Sequence, residues 1–161
     1  RRAYIYRSLQ QQLGWLPLGT DFPVEGIAPL RTYYAAVVRK DVEGWPEDGW
    51  QKEEALSRES ALRGMTGWAA LACFREHDLG QVTPGHRADF TVLDRNLLTV
   101  SEEDLLDTRV LQTWIGGQSV FERRPGSSVH QPWARRTHEG VGPSSPISPW
   151  PSSPSASEPC C

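Results

Sequence analysis

The sequence has no apolar run that approaches the roughly 18–20 residues needed to span a bilayer. It also lacks an excess of basic residues, since 17 Lys and Arg stand against 20 Asp and Glu, whereas a nucleic-acid-binding surface calls for a basic patch or stripe. Its first residues do not show the charged, apolar and small-residue pattern of a signal peptide. We therefore expect no membrane span and no nucleic-acid partner, and the cytoplasm is the favoured location.

Cysteine is also scarce, and its placement excludes a disulfide framework. Of three cysteines, Cys160 and Cys161 are the last two residues and Cys73 lies in an apolar segment. We expect Cys73 to be a small buried hydrophobic residue. The chain opens with Arg-Arg-Ala rather than Met, which suggests that the natural N-terminus is missing.

The composition changes near Arg124, after which Pro, Ser and Gly dominate. Such a segment buries too little apolar surface to offset the entropy lost on ordering. The sequence therefore predicts a disordered Pro/Ser-rich tail over residues 125–161. A Pro-rich tail can also be a docking ligand for aromatic-lined grooves, although no charge-flanked Pro-x-x-Pro motif favours that alternative here.

Before the tail, the hydrophobic periods predict a helix, a short strand, a loop, further helices and then a small antiparallel β piece. Predicted helices cover 1–13 with Gly14 as C-cap, 29–39 starting at Pro29, 57–64 with Ser57 as N-cap, and 66–74. Predicted strands cover 16–20, 88–93, 110–115 and 119–122, the last two joined by a tight turn at Gly116-Gly117. This order is typical of the end of an α/β barrel followed by a small antiparallel sheet. It does not suit a self-contained barrel, which typically takes about 250 residues.

Asp21 is the residue with the clearest potential for chemistry. It follows an apolar strand in the motif Gly19-Thr20-Asp21-Phe22-Pro23, and active sites of α/β barrels lie at the C-terminal ends of the strands. A carboxylate there can bind a metal and accept a proton from water that the metal activates. The alternative is that Asp21 caps the turn that follows, which is a common role of Asp.

The segment 15–25 resembles the last barrel strand of the amidohydrolase superfamily, in the branch called amidohydrolase family 3. Three further segments resemble the same branch in order and spacing: 29–41 its next helix, 56–66 its following helix pair, and 79–94 its return to a β-sandwich. The resemblance covers about residues 1–123 and stops at the tail. One segment would be weak support, whereas four in register are strong.

The resemblance implies an α/β fold in which the chain is a C-terminal fragment. Residues 1–78 would contain the last strand and helices of a metal-dependent (β/α)8 barrel. Residues 79–124 would supply the C-terminal strands of a composite β-sandwich that N-terminal strands complete. Because the barrel strand is separated from its neighbours, we expect Ile5, Leu16 and Leu18 to face water.

The resemblance also implies a reaction, namely hydrolysis of carbon–nitrogen bonds other than peptide bonds in a small amide- or formamide-type substrate. One or two divalent metals, with zinc favoured, would activate the water. Asp21 aligns with the aspartate that contacts the metal or its hydroxide and moves the proton toward the leaving nitrogen. The other ligands, a His-x-His pair, a lysine or carboxylate and two histidines, come from segments that this sequence lacks. We therefore expect the fragment alone to bind no catalytic metal tightly and to be inactive.

Other candidate residues have simpler explanations. We assign no ligand role to His77 and His86, which we expect in exposed loops, or to His130 and His138 in the tail, and we interpret Asp89 as structural. Trp45 and Trp50 either line a substrate pocket or pack against the barrel. The competing hypothesis is a truncated, non-catalytic remnant that acts as a binding module through its tail. The oligomeric state stays open.

Overall fold

The computed structural model describes residues 3–124 and 126. Within this part, the helices are α1 (Tyr6–Leu13), α2 (Pro29–Val38), α3 (Arg58–Met65) and α4 (Gly67–Ala72), and the strands are β1 (Phe90–Leu93), β2 (Val110–Ile115) and β3 (Gln118–Glu122). Short 3-10 turns lie at Lys52–Glu54 and Leu105–Asp107. The predicted helices and the small antiparallel sheet that follows them are confirmed. The prediction for the tail lies outside the described residues, apart from Gly126.

In the part of the chain described, no helix is long and apolar enough to cross a membrane.

The predicted helix ends agree closely with the observed ones where a local signal sets them. Ser57 Oγ accepts a hydrogen bond from the Ser60 amide at 3.1 Å and caps α3. Gly14 ends α1 in the left-handed conformation, with φ of 78°. In contrast, α1 begins at Tyr6 rather than near residue 1, because Tyr4 has a φ of 58° that no helix can contain.

The predicted strand at 16–20 is wrong for the chain as described. The segment has no regular secondary structure, and the sheet of the described residues contains β1, β2 and β3 alone. A strand requires a neighbour that pairs its donors and acceptors. Here the Leu18 amide instead donates to the carbonyl of Gly64 in α3, at 2.9 Å. Ile5, Leu16 and Leu18 are half-buried rather than facing water, and Leu16 and Leu18 pack against the core.

The sheet is antiparallel in the order β1-β2-β3. Phe90 lies opposite Trp114 on the neighbouring strand, and their rings stack with centroids 5.6 Å apart. The predicted turn between β2 and β3 is confirmed, because Gly116 and Gly117 both have positive φ, 57° and 77°. Local turn chemistry thus fixes this hairpin.

The core joins the helices to the segment that connects β1 and β2. Tyr33 of α2 is fully buried and donates its hydroxyl to the Leu97 carbonyl at 3.0 Å. Arg58 of α3 donates to the same carbonyl at 2.7 Å. Leu105 and Leu106 are also fully buried within this cluster. Cys73, expected to be buried, is exposed and lies at the C-cap of α4.

Arg39 links the N-terminal segment to the loop that follows α2. It is buried and takes a left-handed φ of 64° where α2 ends. Its guanidinium carbon lies 5.2 Å from the Tyr6 ring centroid and 5.1 Å from that of Trp50. The same guanidinium donates to the carbonyls of Tyr4 and Trp50, each at 3.1 Å. Burial lowers the pKa of Arg39, but an arginine remains charged in proteins. The contacts with the two rings and the two carbonyls therefore offset the cost of burying that charge.

Glu54 supplies the N-terminal cap that α1 lacks in its own sequence, since no side chain caps the helix at Ile5. Its carboxylate accepts hydrogen bonds from the Ser8 hydroxyl at 2.6 Å and from the Ser8 amide at 2.9 Å. These hydrogen bonds, the hydroxyl first, lower the pKa of the Glu54 carboxyl. A carboxylate is also favoured by the partial positive charge at a helix N-terminus. Glu54 thereby fixes α1 against the 3-10 turn at Lys52–Glu54.

We expect Glu54→Gln to destabilise the protein at neutral pH and to matter less in acid. Because the folded-state pKa is lowered, the stabilisation is present above the ordinary glutamate pKa of about 4.3 and is lost as the pH falls through the folded value. Denaturant unfolding of the wild type and the variant between neutral and acidic pH measures this. Glu47→Gln, at an exposed loop position, is the matched control. A stability difference independent of pH would contradict the capping role.

Candidate active-site segment

Asp21 lies at the end of the 15–20 segment, where the chain turns. Its φ is 54°, a left-handed value that Asp tolerates better than most residues. Its carbonyl accepts hydrogen bonds from the amides of Val24 at 2.8 Å and Glu25 at 3.3 Å. The main chain of Asp21 therefore holds the turn, and the residue is exposed.

Gly64 of α3 sets the position of the segment that leads to Asp21. Gly64 accepts a hydrogen bond from the Leu18 amide and also lies very close to this segment. A Cβ atom at Gly64 would come 2.8 Å from Leu18 Cγ and 2.9 Å from the Leu16 carbonyl oxygen. Our sequence reasoning missed this residue. The available signal was a glycine inside a helical pattern, which usually marks a close approach when it is not a cap.

The turn after Asp21 presents three large apolar side chains. Phe22 is 61% exposed, Val24 79% and Ile27 65%. We call these three residues the apolar turn surface. At its edge, Arg31 of α2 approaches Gly26, where a Cβ atom would lie 3.9 Å from Arg31 Nη1. The candidate aspartate thus stands beside an exposed apolar surface.

The described residues do not fit a catalytic metal by themselves. Among residues 3–124 and 126, no three His, Cys, Asp or Glu side chains lie close enough to hold a metal ion. Asp21 offers one carboxylate, whereas a zinc site takes three or four protein ligands. Any complete metal site would therefore need ligands from elsewhere.

The remaining candidates have structural surroundings. His77 is exposed, while His86, expected to be exposed, is half-buried with Nε2 3.1 Å from the Glu76 carbonyl oxygen. Asp89 Oδ1 accepts from the Gly116 amide at 2.6 Å and so braces the β2–β3 turn. Trp50 packs on Arg39. The predictions for His130 and His138 lie outside the described residues.

A cleft of about 320 Å³ opens between α1 and the start of α3. Its lining residues are Arg7, Gln10, Ala55, Leu56, Ser57 and Ser60. Asp21 is not among them, so this cleft is separate from the candidate aspartate.

Comparison with known families identifies the family to which the chain belongs. A model of the amidohydrolase family matches residues 6–121, which include Asp21 and extend through most of β3. The chain therefore belongs to the amidohydrolase family, in the family 3 branch. No solved structure gives a significant match to the chain.

Three curated proteins are similar to the chain over most of its length. Protein LONG AFTER FAR-RED 3 of Arabidopsis thaliana is 35% identical over 75% of the chain and 20% of its own length. YtcJ of Bacillus subtilis (strain 168), which carries the name of an amidohydrolase, is 30% identical over 65% of the chain and 20% of its own length. N-substituted formamide deformylase of Arthrobacter pascens is 31% identical over 66% of the chain and 19% of its own length. The chain thus spans about a fifth of these relatives.

We expect Gly64→Ala to destabilise the protein by about 1–3 kcal/mol, the usual cost of forcing an extra carbon into a packed interior. The added Cβ must push the 16–18 segment away from α3. Hydrogen exchange at the Leu18 amide should accelerate, because its bond to the Gly64 carbonyl lengthens. Gly19→Ala is the matched control, since nothing lies within 4 Å of a Cβ at that position. Equal effects of the two substitutions would show that Gly64 does not position the segment.

Proposed function

We propose that the chain is the C-terminal portion of a metal-dependent hydrolase that cleaves carbon–nitrogen bonds other than peptide bonds, in small amide- or formamide-type substrates. The observation that carries the proposal is the family match over residues 6–121. The names of two relatives, an amidohydrolase and a formamide deformylase, support the bond type.

Within this proposal, Asp21 is the catalytic carboxylate of the segment and one ligand of the metal. It takes a proton from the attacking water and passes it to the leaving nitrogen. The water oxygen joins the carbonyl carbon, the carbon–nitrogen bond breaks, and the products are an acid and an amine. A divalent metal, with zinc favoured, lowers the pKa of water when bound. The exposed position of Asp21 at a turn supports this role, because a reacting carboxylate must be reachable by substrate.

The organisation of the longer protein belongs to the same proposal. Residues 1–78 contribute to the end of a (β/α)8 barrel and residues 79–124 to a composite β-sandwich. Pairing of 16–20 as a strand would then depend on neighbouring barrel strands. The mixed helix and strand content with a small antiparallel sheet is consistent with this arrangement.

We expect the 161-residue chain alone to hydrolyse no amide or formamide, with or without added zinc, because Asp21 lacks partner ligands among the described residues. Turnover assays on the purified chain test this. Turnover that follows the chain through purification and disappears in Asp21→Ala would refute it.

A chimera tests the positive half of the proposal. Residues 6–121 replace the matching segment of the Arthrobacter pascens deformylase, and hydrolysis of an N-substituted formamide is measured. We expect an active chimera in which Asp21→Asn lowers kcat/KM by about 10²–10⁴-fold, the usual contribution of a positioned proton-transfer group. Asp48→Asn, at an exposed loop position, should leave the rate unchanged. A folded, inactive chimera would favour the non-catalytic remnant.

A further inference from the structure

We propose that the apolar turn surface, Phe22, Val24 and Ile27, contacts the nitrogen substituent of the substrate and selects amides and formamides whose amine part is apolar. This assignment rests on the proposed function, because it takes Asp21 as the group that returns the proton to the leaving nitrogen. It adds the chemical class of the amine that the reaction releases.

The first step is the place of the amine part relative to Asp21. A carboxylate that protonates the leaving nitrogen must come within hydrogen-bond reach of that nitrogen, at about 2.6–3.2 Å. The substituent carried by the nitrogen therefore lies beside the Asp21 carboxylate. The residues that the substituent meets are those whose side chains begin close to Asp21.

The second step is the turn that begins at Asp21. The Asp21 carbonyl accepts hydrogen bonds from the amide of Val24 at 2.8 Å and from the amide of Glu25 at 3.3 Å. In a turn of this kind, residues three apart have their Cα atoms within about 7 Å of each other. Phe22 follows Asp21 directly in the sequence. The side chains of both Phe22 and Val24 therefore begin close to the candidate carboxylate.

The third step is the chemistry of these side chains. Single exposed apolar residues are normal on protein surfaces, whereas neighbouring ones mark binding surfaces and ligand grooves. Phe22, Val24 and Ile27 lie within six residues of one another, and each is more than 60% exposed. Small-molecule sites combine mostly apolar and aromatic side chains with a few polar groups that orient the ligand. Asp21 supplies a polar group of this kind, and the apolar turn surface supplies the apolar part.

Two charged residues at the edge of the surface define the alternatives. Glu25 is exposed in the same turn and would attract a cationic amine part. Arg31 Nη1 lies 3.9 Å from the position that a Cβ atom at Gly26 would take, and Arg31 would attract an anionic one. Because the two charges are opposite in sign, neither kind of charged substituent is favoured by both. An apolar substituent, in contrast, removes apolar surface from water on both sides of the contact.

The test uses the chimera with the Arthrobacter pascens deformylase. Formate release is measured with N-cyclohexylformamide and with two formamides whose amine parts are charged, N-(2-aminoethyl)formamide and N-(2-carboxyethyl)formamide. We expect Val24→Asp to lower the ratio of kcat/KM for N-cyclohexylformamide to that for N-(2-aminoethyl)formamide by about 10–200-fold, the usual effect of one methylene-sized contact in an apolar pocket. A residue that only supports the fold would change both values by the same factor.

Two substitutions serve as controls. Val82→Asp, at a position that is 83% exposed in the loop before β1, should leave the ratio unchanged. Val24→Ile keeps the apolar character of the turn and should retain the ratio of the unsubstituted chimera. Circular dichroism and thermal unfolding verify that the variants fold as the unsubstituted chimera does.

Two results would overturn the proposal. One is a Val24→Asp chimera in which kcat/KM changes by the same factor for all three formamides. The other is an unsubstituted chimera that hydrolyses either charged formamide with a higher kcat/KM than N-cyclohexylformamide.

Failure of this proposal is distinguishable from failure of the proposed function. Hydrolysis that depends on Asp21 but shows no change of ratio in Val24→Asp supports catalysis and not the apolar contact. If the folded chimera hydrolyses none of the formamides, the proposed function fails, and calorimetry with the product amine, cyclohexylamine, decides the contact. Binding that Val24→Asp weakens and Val82→Asp does not would support the contact, whereas no binding or equal binding by all chimeras would overturn it.

Discussion

The buried guanidinium of Arg39 carries a charge that has lost its contacts with water, so protein groups must replace those contacts. The position of the N-terminal segment depends on these groups. Two aromatic rings lie against the guanidinium and two carbonyl oxygens accept its hydrogen bonds. These groups come from both the first residues described and the loop after α2. Leaving the charge without them would cost several kcal/mol. Through these contacts the arginine holds Tyr4 and Tyr6, the first residue of α1, close to the loop that contains Trp50.

A series of contacts fixes the chain between α1 and Asp21. Glu54 caps α1 from a distant 3-10 turn, and Gly14 ends the helix in a conformation that suits glycine. The chain then crosses α3 at Gly64, where the absence of a side chain lets Leu18 approach. Together these contacts place Asp21 in an exposed turn, although residues 15–20 pair with no strand among the described residues.

The comparison with the sequence separates local from non-local causes. The caps at Ser57 and Gly14, the start at Pro29 and the Gly116-Gly117 turn could be predicted, because neighbouring residues determine them. Whether residues 16–20 form a strand could not be decided from their apolar pattern, because a strand forms only when it pairs with a neighbouring strand. The roles of Arg39, Glu54 and Gly64 depend on residues between 10 and 50 positions away, which no local pattern encodes. Asp21 itself was identified from its motif, and its catalytic role stays a prediction.

Among the described residues, the buried core and the candidate carboxylate of Asp21 are separate. The core of the chain is closed around α2, α3 and the segment between β1 and β2, so the fold has a source of stability that does not involve the candidate site. The carboxylate stands outside that core, beside an apolar surface that the described residues leave open. A hydrolytic site built from one carboxylate requires ligands from other segments. Asp21 can therefore belong to a hydrolytic metal site only together with ligands that the described residues do not supply.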